Sequence, residues 1–173
     1  MKRSIPIVVI VLAALLAATA GAKSPPTPPA GTWDLSHNRL TYSGPGAPVR
    51  SAVMKLVPRR ATFTPLCTVA QCTVSTLVTT AGGRRLKLML AATSTPVYAG
   101  SVPVRLGLRC GGRRLTALVV MTARMIQRQQ EPGSALLGTT QVTVENPGRC
   151  RLFQGKLRAV RRTAFTGVPA GPA

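Results

Sequence analysis

The run Val104-Arg105-Leu106-Gly107-Leu108-Arg109-Cys110 is apolar at every second residue. Successive side chains of a β-strand point to opposite faces, so Val104, Leu106, Leu108 and Cys110 share one face and Arg105, Gly107 and Arg109 the other. This is the pattern of a half-buried strand with Cys110 turned inward. It recurs in Arg84 to Ala92, where Leu86, Leu88 and Leu90 fall on one face, and in Cys72, Val74, Thr76 and Val78. Leu115 to Ile126 is apolar on both faces apart from Thr116, Thr122 and Arg124, which predicts a central strand. Further strands fit Thr32–Tyr42, Val49–Val57, Arg60–Thr64, Leu136–Glu145 and Leu157–Phe165. The one tempting helix, Met121–Gln130, has its apolar residues at 121, 123, 125 and 126, which suits a strand end better. Eight or nine short strands with turns between them predict an all-β fold, an antiparallel β-sandwich or barrel.

Gly82-Gly83 and Gly111-Gly112 each separate two alternating runs, and paired glycines supply the positive φ of tight two-residue hairpins. Both are followed by Arg-Arg-Leu. The echo could record a duplicated hairpin; five residues repeated in a biased composition are more often coincidence.

Lys2 and Arg3 precede an uncharged apolar run of 16 residues, Ile5 to Ala20, and the small-x-small sites Ala18-Thr19-Ala20 and Ala20-Gly21-Ala22. This order predicts a secretory signal peptide over residues 1–22, with an uncleaved N-terminal anchor as the alternative. No cysteine precedes Cys67, so no lipid-bearing thiol is expected near the cleavage site. Residues 23–30, with four prolines, read as an extended Pro-rich linker, 31–166 as one all-β domain, and 167–173 as a flexible tail. The mature protein is expected to be secreted or extracytoplasmic. Four cysteines in such a chain read as two disulfides, with three connectivities open. Cys67–Cys72 with Cys110–Cys150 is preferred, because the first pair is local enough to close by itself. Zinc is disfavoured because Cys110 and Cys150 stand alone and the single histidine, His37, is remote in sequence.

The sequence has 23 Lys and Arg against 3 Asp and Glu, a net charge of +20; losing Lys2 and Arg3 with the leader would leave +18. Such a charge attracts polyanions, and an anionic cell-envelope polymer or membrane surface is the expected partner. The bland alternative is solubility combined with the codon bias of a GC-rich genome, which enriches Arg, Ala, Gly and Pro together. Arg59-Arg60, Arg84-Arg85, Arg113-Arg114 and Arg161-Arg162 are candidate anion contacts, Arg84 and Arg113 foremost. In a strand each pair offers only one arginine to a given surface. With one Trp, two Tyr and three Phe and no base-reading motif, sequence-specific nucleic-acid binding is not expected.

Catalysis is not expected either. Asp34, Glu131, Glu145 and His37 must supply all acid–base chemistry, and no nucleophile elbow, P-loop or Gly-x-Gly-x-x-Gly occurs. His37 reads as an exposed strand or turn histidine. No metal and no cofactor is expected. A second function class stays open: a barrel or sandwich around a small apolar ligand, with the charge incidental.

Ala61-Thr62-Phe63-Thr64-Pro65-Leu66-Cys67 followed by Gln71-Cys72-Thr73-Val74 resembles a motif of small, largely uncharacterised exported actinobacterial proteins. In these an aromatic-x-x-Pro-x-Cys stretch precedes a second cysteine and a strand. Val97-Tyr98-Ala99-Gly100 and Leu137-Gly138-Thr139 sit where such proteins carry similar short signatures. Phe63 stands where tryptophan is usual. The resemblance implies an extracytoplasmic β-domain with the 67–72 bond and implies no activity.

Overall fold

The computed structural model describes residues 27–44, 46–68, 71–94, 97–127, 134–150 and 155–170. The expected leader, the first residues of the linker, Glu131 and residues 171–173 lie outside them. Among the described residues eight strands follow in chain order: β1 (Gly31–Ser43), β2 (Pro58–Cys67), β3 (Cys72–Thr80), β4 (Arg85–Ser94), β5 (Val97–Cys110), β6 (Arg113–Gln127), β7 (Ser134–Cys150) and β8 (Gly155–Pro169). One helix, α1 (Ala47–Met54), lies between β1 and β2. Each strand pairs antiparallel with the next, and β8 returns to β1, so the sheet is a closed barrel.

The alternation explains which face of each strand lines the interior. Leu86, Leu88 and Leu90 are buried on β4, with Arg85, Lys87 and Met89 exposed between them. On β5 Val104, Leu106 and Cys110 are buried while Arg105 and Arg109 face solvent. Phe63, Tyr98, Phe165, Leu88 and Met121 fill the interior, each side chain burying apolar surface at roughly 25 cal/mol per Å². The expected central place of β6 does not hold. A closed ring has no central strand, and its outward Leu118 is 43% exposed.

The expected strand Val49–Val57 is α1 instead. Pro48 sits in its first turn, where a missing N–H is harmless. Val49 and Val53, one helical turn apart, are fully buried, and Leu56 follows at 1% exposure. The helix packs against β5 and β8, so it covers one end of the barrel. Both Gly-Gly turns lie at that end.

Two seams in the wall are short. β1 pairs with β2 only over Gly31–Asp34, and β4 with β5 only around Ala91–Ser94. Elsewhere the ladders are long, as in β6–β7 from Ala117 to Gln127. Cys67 bonds Cys72 across the β2–β3 hairpin at the end away from α1. Cys110 bonds Cys150 at the helix end. There β7 runs past its last partner on β6, Ala117 opposite Val144, and the disulfide ties its end back to β5. No cysteine is left free. Strand β8 continues through Gly167 and Val168 to Pro169, opposite Trp33, and the Ala170 N–H donates to the Thr32 carbonyl at 2.9 Å. The segment expected as tail therefore begins as paired strand. Likewise the end of the expected linker folds back, with the Trp33 indole N–H donating to the Ala30 carbonyl at 2.7 Å.

Candidate functional site

The two Gly-Gly turns both carry exposed cations and lie at the helix end. In the first, the Thr80 N–H donates to the Arg84 carbonyl and the Gly83 N–H to the Thr80 carbonyl, both at 2.9 Å. Gly83 has φ +75°, so this is a three-residue loop closed by a left-handed residue. In the second, Cys110 pairs with Arg113, and Gly111 and Gly112 have φ +55° and +79°, the two-residue form. The expectation of two-residue turns holds only for the second.

The first turn is docked. Gly82 donates its N–H to the Lys55 carbonyl at 2.8 Å and Ala81 its N–H to Val57 at 2.7 Å. Arg84 then reaches across the open stretch of the β4–β5 seam, its guanidinium donating to the Arg105 carbonyl at 2.7 Å. Arg84 is thus exposed, with one N–H of its guanidinium bonded to the wall. Arg113 is exposed and carries no such bond among the described residues.

Around these turns Lys55, Arg84, Arg85, Arg105, Arg109 and Arg114 are also exposed. Arg109 and Arg114 are direct cross-strand partners. Opposed like charges at this spacing destabilise a sheet. The two described carboxylates are taken: Asp34 accepts a forked bond from Arg60 at 2.7 and 3.2 Å, and Glu145 lies 3.4 Å from Arg158. The bond from Arg60 holds the Asp34 carboxyl below its usual range. Of the four arginine pairs read from the sequence, Arg59-Arg60 and Arg161-Arg162 do not join this surface as pairs. Arg60 is bound by Asp34, Arg162 donates to Gln141 at 2.8 Å, and Arg161 turns inward at 2% exposure.

His37 is half-buried, which corrects its expected place on the surface. A carbonyl only accepts, so Nε2 carries the proton that it donates to the Pro58 carbonyl. Nδ1 then accepts from the Thr163 hydroxyl at 3.1 Å. The ring sits edge-on to Phe165, with centroids 5.9 Å apart. Burial first, then the positive charges of Arg161 and Arg59, push the imidazole below its ordinary range. Its bond to Pro58 ties β1 to β2 beyond the point where their ladder stops at Asp34 and Arg60.

Beside this tie lies a cleft of about 370 Å³ that sequence reasoning missed. Leu35, Met54, Val57 and Ala81 form its apolar side, and Arg59 and Arg161 its cationic side. The signal that could have found it was parity. Arg161 is in phase with Thr163 and the aromatic Phe165 on the expected strand Leu157–Phe165, so an inward Phe165 implies an inward Arg161. The chain matches no protein-family model, no curated protein and no solved structure.

Proposed function

We propose that the protein is an exported, non-enzymatic binding domain whose basic helix end engages an anionic partner of the cell envelope, a polymer or a membrane surface. Two disulfides suit an oxidising, extracytoplasmic setting. The observation that carries the reading is Arg109 set directly against Arg114, with the exposed Arg113 adjoining on the same hairpin. A fold gains nothing from opposing two exposed guanidinium groups. A polyanion laid between them converts the repulsion into two bidentate contacts.

The test is binding of the disulfide-bonded protein to polyphosphate and to phosphatidylglycerol vesicles at about 50 and 200 mM salt, where a multi-phosphate contact weakens steeply. The double variant R109Q/R114Q is expected to lose about tenfold in affinity, and R158Q/R162Q, equal in net charge, about twofold or less. Equal losses in the two would mean that the charge acts in bulk and that no site exists.

A further inference from the structure

Arg161 is the one charged side chain among the buried described residues, at 2% exposure. Its Nε–H has no hydrogen-bond partner among the described residues. Thr140, on the neighbouring strand β7 and also 2% exposed, has an unpartnered hydroxyl. Its cross-strand partner is Thr163, two residues along β8 from Arg161. A guanidinium cannot escape burial by losing its proton. The described charges nearest it only add to the problem. Arg50, stacked over the ring of Tyr42 at 5.8 Å, and Arg59 are both cations, and Tyr42 is the cross-strand partner of Arg161. No described carboxylate lines the cleft that Arg161 closes. A buried cation without a counter-ion, lining a cleft with an apolar wall, is half of a binding site.

We propose that this cleft binds a small aliphatic carboxylate, with its head on Arg161 and its body against Leu35, Met54 and Val57. The head is a carboxylate because the two terminal amino groups of the guanidinium, which no described group engages, offer parallel N–H bonds that match the two oxygens of that planar anion. One negative charge also balances the one buried cation. A phosphate dianion needs further donors, and the nearest ring, His37, has both nitrogens engaged by Pro58 and Thr163. The body is short and apolar because the wall is, and because about 370 Å³ lies toward the small end of ligand pockets. Arg59, exposed at the rim, adds attraction at entry. The site shares no residue with the opposed Arg109 and Arg114, so it stands apart from the polyanion surface.

Titration calorimetry on the disulfide-bonded protein tests this with octanoate, octanol and octyl phosphate. Octanoate is expected to bind saturably, and the other two about tenfold more weakly or worse. R161M, which keeps the volume and removes an unpaired buried charge, is expected to fold and to lose octanoate binding by about tenfold or more. R161K keeps the charge without the fork, and so reads the same loss should R161M fail to fold. R109Q/R114Q is expected to bind octanoate as the parent does, whatever becomes of its polyanion binding. The proposal is overturned by absent octanoate binding, by octanol or octyl phosphate binding as tightly, or by octanoate binding that survives replacement of Arg161.

Discussion

Gly82–Leu86 and Gly111–Leu115 spell the same five residues and lie at the same end of the barrel, yet they make different turns. The second is governed from within. It has two left-handed glycines between paired Cys110 and Arg113, and an added Cβ at either glycine would meet nothing within 4 Å. The first is governed from outside. Its Gly82 gives up the left-handed conformation and serves for closeness instead, since a Cβ there would come within 2.9 Å of the Lys55 Cβ and 3.0 Å of its carbonyl oxygen. The same peptide thus anchors α1 in one place and stands clear in the other. The difference lies in what the tertiary structure brings up to it.

The strongest way to stress the comparison is at Cys110, which immediately precedes the second turn. Replacing Cys110 and Cys150 together with serine should cost about 4 kcal/mol, against about 2 for Cys67 and Cys72, because the first bond restrains a far longer loop of the unfolded chain. Urea denaturation of the two double variants measures this, and equal losses would show that the tie between β7 and β5 restrains the chain no more than the short bond does.

The glycines come next. Gly82→Ala should destabilise by about 2–3 kcal/mol, because helix and turn must part to admit a methyl group. Gly111→Ala should cost about 1 kcal/mol, the ordinary penalty of an alanine with positive φ. Thermal melts of the two single variants decide the order, and the reverse order would mean that the contact with Lys55 is loose.

The smallest effects are expected at the arginines that hold matching positions in the two turns. Arg84→Gln should cost about 1 kcal/mol through loss of the bond across the β4–β5 seam. Arg113→Gln should stay within about 0.5 kcal/mol, as surface changes usually do. Hydrogen exchange at the amides of β4 and β5 should quicken in the first variant alone; no change there would remove Arg84 from the wall.

Much of the barrel was legible along the chain. Leu86, Leu88 and Leu90, or Val104, Leu106 and Cys110, announce their strands because a half-buried strand must alternate wherever it sits. The strand expected over Leu136–Glu145 is the middle of β7, and Leu157–Phe165 the middle of β8. The helix was harder. Val49 and Val53 do stand one turn apart, but eight residues of helix are unstable alone, and α1 persists because β5 and β8 bury those two valines. The site was less legible still. Sequence reasoning singled out Arg84 and Arg113 as equals, and the structure engages one of them in the wall while leaving the other exposed.

By itself the sequence determined an antiparallel all-β domain, the inward faces of its main strands, glycine turns at two hairpins and a heavy positive charge. These follow from backbone geometry and composition, which act over a few residues or over none in particular. Closure of the ring, the helix at its end, the tie from His37 to Pro58 and the burial of Arg161 were decided only in three dimensions. Each depends on groups that meet across the barrel from distant points of the chain: Thr163 on His37, β8 on α1, and Leu35 and Met54 beside Arg161. Burial is a property of that meeting. A cation that reads as solvated in the sequence becomes a demand for a counter-ion once the fold has closed over it.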